Sequence, residues 1–254
     1  MDKTSAVPGT AAFQKFMRVV QVVSDQPHQL TIGALAKLLA LPRPTIHRIV
    51  DALVAEGMLV SDHLDRLGLG PRLVALAWRS LETSDIRAVA QPWLMQLRDA
   101  LDETVHLAVR NGLDMVYIDK LEAHRTVRMA SRIGTRVSLY SSSVGKAWLA
   151  AQPSAAVEGW LAQLDLQPFT RYTRVTRQAI QEEIAATRQR GYAIDDQENE
   201  LDICCYGYAI LDPRGAVAGC ISVSVPTYRF VEQDKAETLS HIKKCVTQIQ
   251  QHLL

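Results

Sequence analysis

The stretch "LTIGALAKLLALPRPTIHRIV" constrains the chain most, because two short helical patterns there are separated by only a few residues. Ile32, Leu35, Ala36 and Leu39 form one apolar stripe, with Thr31 placed to cap it. Across the turn "ALPR", Ile46, Ile49, Val50, Leu53 and Val54 repeat the period. Phe13, Phe16, Met17, Val20 and Val23 predict an earlier helix over about 11–24. Three short helices, the last two joined by a tight turn, match the helix-turn-helix plan. The following "GMLVSDHLDRLGLG" reads as a Gly stop and a β-hairpin, a wing on the three-helix unit.

A helix turns about 100° per residue, so Pro44, Arg48, Asp51 and Ala55 lie opposite Ile46, with Thr45 and His47 at the sides. In a helix-turn-helix protein the recognition helix offers its N-terminal residues to base edges. Arg43, Pro44, Thr45 and Arg48 occupy those turns. Arginine reaches guanine or phosphate, and Thr45 suits phosphate or a thymine methyl. His47 and the wing's Arg66 complete the candidate DNA-facing set. Asp51 would repel phosphate, so it is expected to point out of the groove or to pair with an arginine. No carboxylate or cysteine is read at ligand spacing beside His47, so no metal or catalytic role is assigned to it. The plain alternative is a solvated helix face, against which the preceding helix, the tight turn and the wing all count.

"PRLVALAWRSLETSD" reads as a linker helix with Pro71 at its first position and Leu73, Leu76, Ala77 and Leu81 on one side. The expected organisation is a DNA-binding domain over 11–70, a linker over 71–84 and a second domain over 85–254. The first ten residues are expected to form a disordered tail. Beyond the linker comes a long helix containing Pro92, then alternating strands and helices. "TVHLAVRNG" and "DMVYIDKLE" predict a hairpin turning at Asn111-Gly112. "TVRMAS" and "GTRVSLY" predict further strands, and "VGKAWLAAQ" a short helix. "TRQAIQEEIAATRQR" predicts a helix stopped at Gly191, and "CCYGYAILDPRGAVAGCISVSVP" a hairpin turning at Asp212 to Gly215. A closing helix is predicted from about Glu232. The fold class is α+β, with an antiparallel sheet flanked by helices.

Charge is a weak guide here: residues 1–80 hold 9 Lys/Arg against 6 Asp/Glu, and the remainder holds 19 against 21. No run of 18 apolar residues offers a membrane helix, and the N-terminus lacks a signal-peptide pattern. Cys204, Cys205, Cys220 and Cys245 include no C-x-x-C pair, so a reducing cytoplasm is expected. Gly145-Lys146 lacks the upstream glycine and following hydroxyl of a P-loop. No metal site, cofactor or catalytic residue is read from the sequence.

"LTIGALAKLLALPRPTIHRIVDALVAEGMLV" resembles the winged helix-turn-helix of the isocitrate-lyase-regulator (IclR) family of bacterial transcription factors. The likeness continues through "LGPRLVAL", "ETVHLAV", "VYIDKLE", "SRIGTRVSLYSSSVGKAWLA", "RGYAIDDQENE" and "ISVSVPTYRF". The resemblance implies a homodimer built through the DNA-binding half, often paired into a tetramer, on a palindromic double-stranded operator. It also implies a C-terminal, GAF-like domain that binds a small organic acid. The positions matching the family's effector pocket are Met129, Val137, Ser143, Val144, Asp195, Ile203, Cys205, Ser222 and Ser224. Backbone N–H groups near Ser143 and Val144 would hold a carboxylate at a helix start. Ser222 and Ser224 share one strand face, as a pocket floor requires.

The chain departs from the family's pattern at several places. Pro44 stands for a usual serine, and the wing "DRLGLG" lacks an aromatic. Tyr140, Ser141 and Ser143 make the pocket loop more polar, and Asp202, Tyr208 and Ala209 replace glycine, a small residue and proline. These changes point to a different ligand. Two other function classes remain open on sequence: a ligand-independent architectural repressor, and a hydrolase using Cys205 or Ser222 with His106, His124 or His241 as base.

Overall fold

The computed structural model describes residues 9–82, 85–126, 129–232 and 234–253. The chain divides into two compact units between Thr83 and Ser84. The expected tail falls largely outside the described residues. Among the described residues no helix is long and apolar enough to cross a membrane.

The first unit holds helices α1 (Ala11–Asp25), α2 (Ile32–Leu39) and α3 (Arg43–Ala55), strands β1 (Leu59–Ser61) and β2 (Leu67–Leu69), and helix α4 (Pro71–Glu82). Its core is built from Val19, Val20 and Val23 of α1, Leu35 and Leu39 of α2, Ile46, Ile49, Val50 and Leu53 of α3, and Leu59 and Leu67 of the wing. The Thr31 hydroxyl accepts from the Ala34 amide, so the predicted cap forms. Ala40 takes a left-handed conformation (φ 50°), which ends α2 within one residue and keeps the turn short. Four apolar residues behave differently from expectation: Phe13, Met17 and Val54 stay exposed, and Val19 packs in the core. Val54 lies at the margin of the buried stripe of α3 and is 40% exposed.

The second unit begins with α5 (Asp85–Leu101), which runs straight through Pro92. Then come β3 (Thr104–Asn111), β4 (Asp114–Leu121), β5 (Arg136–Ser138), α6 (Ser143–Ala150), α7 (Ser154–Gln163), α8 (Arg177–Arg190), β6 (Ala193–Asp196), β7 (Ile203–Leu211), β8 (Val217–Pro226), α9 (Thr227–Phe230) and α10 (Lys235–His252). The strands form one antiparallel sheet in the order β5-β4-β3-β8-β7-β6. One face carries Val105, Leu107, Tyr206, Ile210, Ile221, Val223 and Val225 against α5 and α10. The other carries Ala108, Met115, Tyr117 and Cys220 against α6, α7 and α8.

Three local expectations are corrected. The β3–β4 turn centres on Gly112-Leu113, since Asn111 pairs with Asp114, and only Gly112 has positive φ (63°). That pattern suits a turn with glycine first rather than an Asn-Gly centre. The strand expected at "TVRMAS" does not form among the described residues, where Met129 to Ser131 run as irregular chain. Helix α7 and strand β6 were not anticipated. Asp234 caps α10 through the amides of Ala236 and Glu237, so the closing helix starts slightly later than expected.

Candidate DNA-binding helix and buried cavity

Helix α3 starts after Pro42, with Pro44 in its first turn, where a missing N–H costs no helical bond. Ile46, Ile49, Val50 and Leu53 anchor it, which turns Arg43, Pro44, His47, Arg48 and Asp51 to solvent and leaves Thr45 half-buried. Among the described residues neither Arg43 nor Arg48 makes a hydrogen bond or ion pair, so both guanidinium groups keep all their donors. Asp51 pairs with His47, Nδ1 to Oδ2 at 2.8 Å, and not with an arginine. The spacing is i,i+4, so Asp51 is the carboxylate that sequence reading had not credited to His47.

Arg66 lies in the turn of the wing. Asp62 accepts from its Nε at 2.8 Å and from its amide at 3.0 Å, and also from the Leu64 amide. The Arg66 amide leads the effects that hold the Asp62 carboxyl down at about 2. Arg66 is therefore partly committed to shaping the wing.

In the second unit the sheet register assembles a polar row that no single segment contains. His106 lies opposite Ser222, Cys205 opposite Ser224, and Asp195 opposite Cys205, across β3, β8, β7 and β6. The Cys205 thiol donates to Ser224 Oγ at 3.2 Å, and Ser224 Oγ lies 3.4 Å from His106 Nδ1. The opposite imidazole nitrogen, Nε2, shares a 2.8 Å hydrogen bond with Ser131 Oγ, and the ring stacks on Tyr117 at 4.2 Å. Asp195 Oδ1 accepts from the amides of Glu198 (2.8 Å) and Asn199 (3.2 Å). Beneath them Lys146 is buried, donating to the Ile194 carbonyl at 2.7 Å and pairing with the Glu198 carboxylate.

Most of these groups line a partly open cavity with about 30 Å³ of free space, roughly one water's share of the liquid. Met129, Ser143, Asp195, Ile203, Cys205 and Ser224, all named from sequence, line it. Ser222 lies one step behind, 3.5 Å from His106 Nδ1. Val137 and Val144 do not reach it: both pack into the core under α6 and α7. Val137 pairs with Met115 near the edge of the sheet, and the first turn of α6 aims Val144 inward. His106, Tyr117, Ser131, Ser142, Asn199 and Glu200 also line the cavity and were not named as ligand contacts. His106 carried one signal, a polar residue between the apolar Val105 and Leu107, but its neighbours depend on the register.

The Ser142 hydroxyl caps α6 by accepting from the Gly145 amide at 3.1 Å. Among the described residues the Ser143 and Val144 amides have no hydrogen-bond partner, so two donors at a helix start remain available beside the cavity. The helix is held close to the sheet because Gly207 of β7 has no side chain: a Cβ there would overlap the Ser143 carbonyl.

Burial raises Asp195 to about 7, opposed by the nearby Lys146 charge. Burial lowers His106 to about 3, reinforced by the charge of Lys120. Burial also pushes the Cys205 thiol well above its usual range, with the Asp195 charge adding to the effect. A scarce thiolate, a weakly basic imidazole and a serine between them make a poor nucleophile–base pair. The arrangement suits hydrogen bonding to a ligand.

Comparison with known proteins accounts for both units. The family model of the IclR helix-turn-helix domain matches residues 12–63, and that of the bacterial transcriptional regulator IclR C-terminal region matches 78–251. The chain is 30% identical over 230 residues to the HTH-type transcriptional repressor AllR of Escherichia coli, covering 89% of this chain and 84% of AllR. The crystal structure of Thermotoga maritima IclR is 28% identical with a TM-score of 0.74, covering 95% of this chain and 98% of that one. An IclR homologue from Microbacterium hydrocarbonoxydans, complexed with 4-hydroxybenzoate, has the same fold at a TM-score of 0.80 and 23% identity, covering 95% and 98%. A helix-turn-helix with two free arginines at the start of α3, followed by an α+β unit with a buried polar cavity, is thus matched over nearly its whole length, and the chain belongs to the IclR family of bacterial transcriptional regulators.

Proposed function

We propose that this regulator, most simply a repressor, binds a palindromic operator through α3 and that a small carboxylate-bearing metabolite in the second unit's cavity adjusts its affinity. Residues 11–70 would bind DNA, 71–84 would link, and 85–254 would sense. The observation that carries the sensing half is the pair of unpartnered amides of Ser143 and Val144 beside a buried cavity holding Asp195. They suit the carboxylate, and Asp195 suits a hydroxyl or oxo group next to it. The DNA half rests on Arg43 and Arg48, with Thr45 and Pro44 between them on the outward turns and His47 and Arg66 contributing at the margins.

Apolar surface in the first unit supports a homodimer: Phe13 and Met17 on α1, and Val74, Leu76 and Trp78 on α4, are exposed. A second copy covering that face would present two copies of α3 to successive major grooves, and two dimers can pair further. Its place of action is the cytoplasm, where the DNA is. The ligand can shift DNA binding only by its differential affinity for two arrangements of the protein, on the order of 1–3 kcal/mol. The small free space of the cavity favours one rival, a repressor that takes no ligand.

The test is a thermal-shift panel of short oxo-, hydroxy- and aromatic acids, followed by mobility shift on the DNA upstream of its own gene. Stabilisation of the wild type by an acid, lost in Asp195→Ala, with altered operator binding, is the expected result. No stabilisation by any acid leaves the ligand-free repressor, and no shift of the DNA at low salt sinks the operator reading.

A further inference from the structure

Lys120 lies outside the cavity's lining but holds one of its walls. Its ammonium, almost fully buried, donates to the carbonyl oxygens of Met129 at 2.8 Å and Ser131 at 2.6 Å, and to Glu122 Oε1 at 3.0 Å. An ammonium has three N–H donors, so these acceptors use it fully. The two carbonyls belong to residues that face the cavity, and the Ser131 hydroxyl ties the same span to His106. Further along, the Gly134 amide donates to the Tyr117 carbonyl at 2.7 Å.

Packing contributes little to this wall. Ala130, Arg132, Ile133 and Gly134 are exposed, Met129, Ser131 and Thr135 are half-buried, and none of these seven belongs to an apolar core. A segment with few apolar contacts and solvent-facing backbone belongs to the low-stability end of a fold. The free space behind it, about 30 Å³, is far below the roughly 300 Å³ at which ligand pockets begin. A ligand much larger than a water molecule therefore fits only if a wall moves. The floor is central sheet, the α6 side is closed by Gly207 against Ser143, and Asn199 is held through its amide on Asp195 and its side chain on Ser141, whereas the Met129–Ser131 span is held to the sheet by the Lys120 and His106 hydrogen bonds.

We propose that Lys120 is the positioning residue of the effector cavity: its ammonium latches the Met129–Ser131 backbone over the space, and ligand entry breaks those two hydrogen bonds. This rests on reading the cavity as the effector site. The geometry also gives the freed ammonium a use. Asp195 and Glu200 line the cavity and, among the described residues, no lysine or arginine does, so Lys120, once released from the two carbonyls, is a cation on that side that can face an incoming carboxylate.

The test is hydrogen exchange on the full-length protein without ligand, comparing wild type with Lys120→Met, Lys120→Gln and Lys120→Arg. In Lys120→Met the amides of 129–135 are expected to exchange at least about tenfold faster, the equivalent of one charged hydrogen bond lost. Protection in β7 and α10 should stay as in wild type. Lys120→Arg keeps charged donors and should retain most of the protection, and Lys120→Gln should fall between. Wild-type exchange of 129–135 in both Met and Gln variants overturns the proposal. If Lys120→Met does not fold, the comparison of Gln with Arg decides. A global loss of protection in every variant also overturns it, because Lys120 is then a residue of the whole fold. A wild type that no acid stabilises would sink the effector reading and leave this exchange pattern standing.

Discussion

Arg87 Nε stands 3.4 Å from Asp119 Oδ2, and although both atoms are buried, neither makes a hydrogen bond among the described residues. Asp119 immediately precedes Lys120, beside the irregularity where β4 shifts register against β3 between Leu107 and Ala108. Arg87 belongs to the first turn of α5, so the pair clips that helix to the sheet. Removing one partner of a buried pair strands the other, whereas replacing both with apolar groups is often neutral. Arg87→Met is expected to cost about 2–4 kcal/mol in urea denaturation, and Arg87→Met with Asp119→Leu to recover most of it. Additive costs in the double variant would show that the two charges do not couple.

Asp195 and His106 should drive stability in opposite directions with pH. Between about 4 and 7 the folded state holds a proton on Asp195 that the unfolded chain has released, so this group's contribution falls as pH rises. Between about 3 and 6.5 the folded state leaves His106 neutral while the unfolded chain protonates, so its contribution rises with pH. The two slopes oppose each other from pH 4 to 6.5. Asp195→Asn keeps an oxygen for the Glu198 and Asn199 amides and removes only the falling limb. Relative to wild type it should gain on the order of 2–4 kcal/mol between pH 4 and pH 8. Parallel pH profiles for variant and wild type would contradict the assignment.

Free arginines and a committed one should differ on DNA. Arg43→Ala and Arg48→Ala should each weaken operator binding by about 1–3 kcal/mol, roughly 5- to 150-fold. Arg66→Ala, whose side chain already pairs with Asp62, should cost less and alter specific and non-specific DNA equally. Fluorescence anisotropy at several fixed salt concentrations separates these outcomes. A larger loss in Arg66→Ala than in Arg48→Ala would move the main contact to the wing.

Gly207 should tolerate no side chain. Gly207→Ala drives a methyl into the Ser143 carbonyl and must push α6 off the sheet. The expected cost is about 1–3 kcal/mol in the second unit, together with loss of stabilisation by any acid that protects the wild type. Unchanged acid binding in a stably folded Gly207→Ala would show that the start of α6 is not part of the ligand site.

Period and capping carried most of the fold. Helices α2 and α3 were legible because their stripes are short, complete and joined by a residue-limited turn, and both long hairpins were legible from alternation plus a turn. Helix α7 was not, because Ala and Gly weaken its stripe and only Val157 and Leu161 are buried. Strand β6 is four residues long, and although Gly191 marks the helix end before it, so short a segment shows too little alternation to be read as a strand. Phe13 and Met17 misled because periodicity names an apolar face without saying what covers it. For the site, the family likeness supplied one residue at a time, and six of nine converge on the cavity. His106 and Tyr117 escaped because their place beside Ser224 and Cys205 is set by cross-strand register, which no local pattern encodes.

The Met129–Ser131 wall also carries a consequence in time. For a ligand that enters behind it, association has two steps, opening and then capture. The observed rate should level off at high ligand concentration, at the rate of opening, instead of climbing in proportion. A sensor built this way ignores fluctuations in metabolite level briefer than its own opening and responds to the sustained average, so the two hydrogen bonds from Lys120 to Met129 and Ser131 act as its clock.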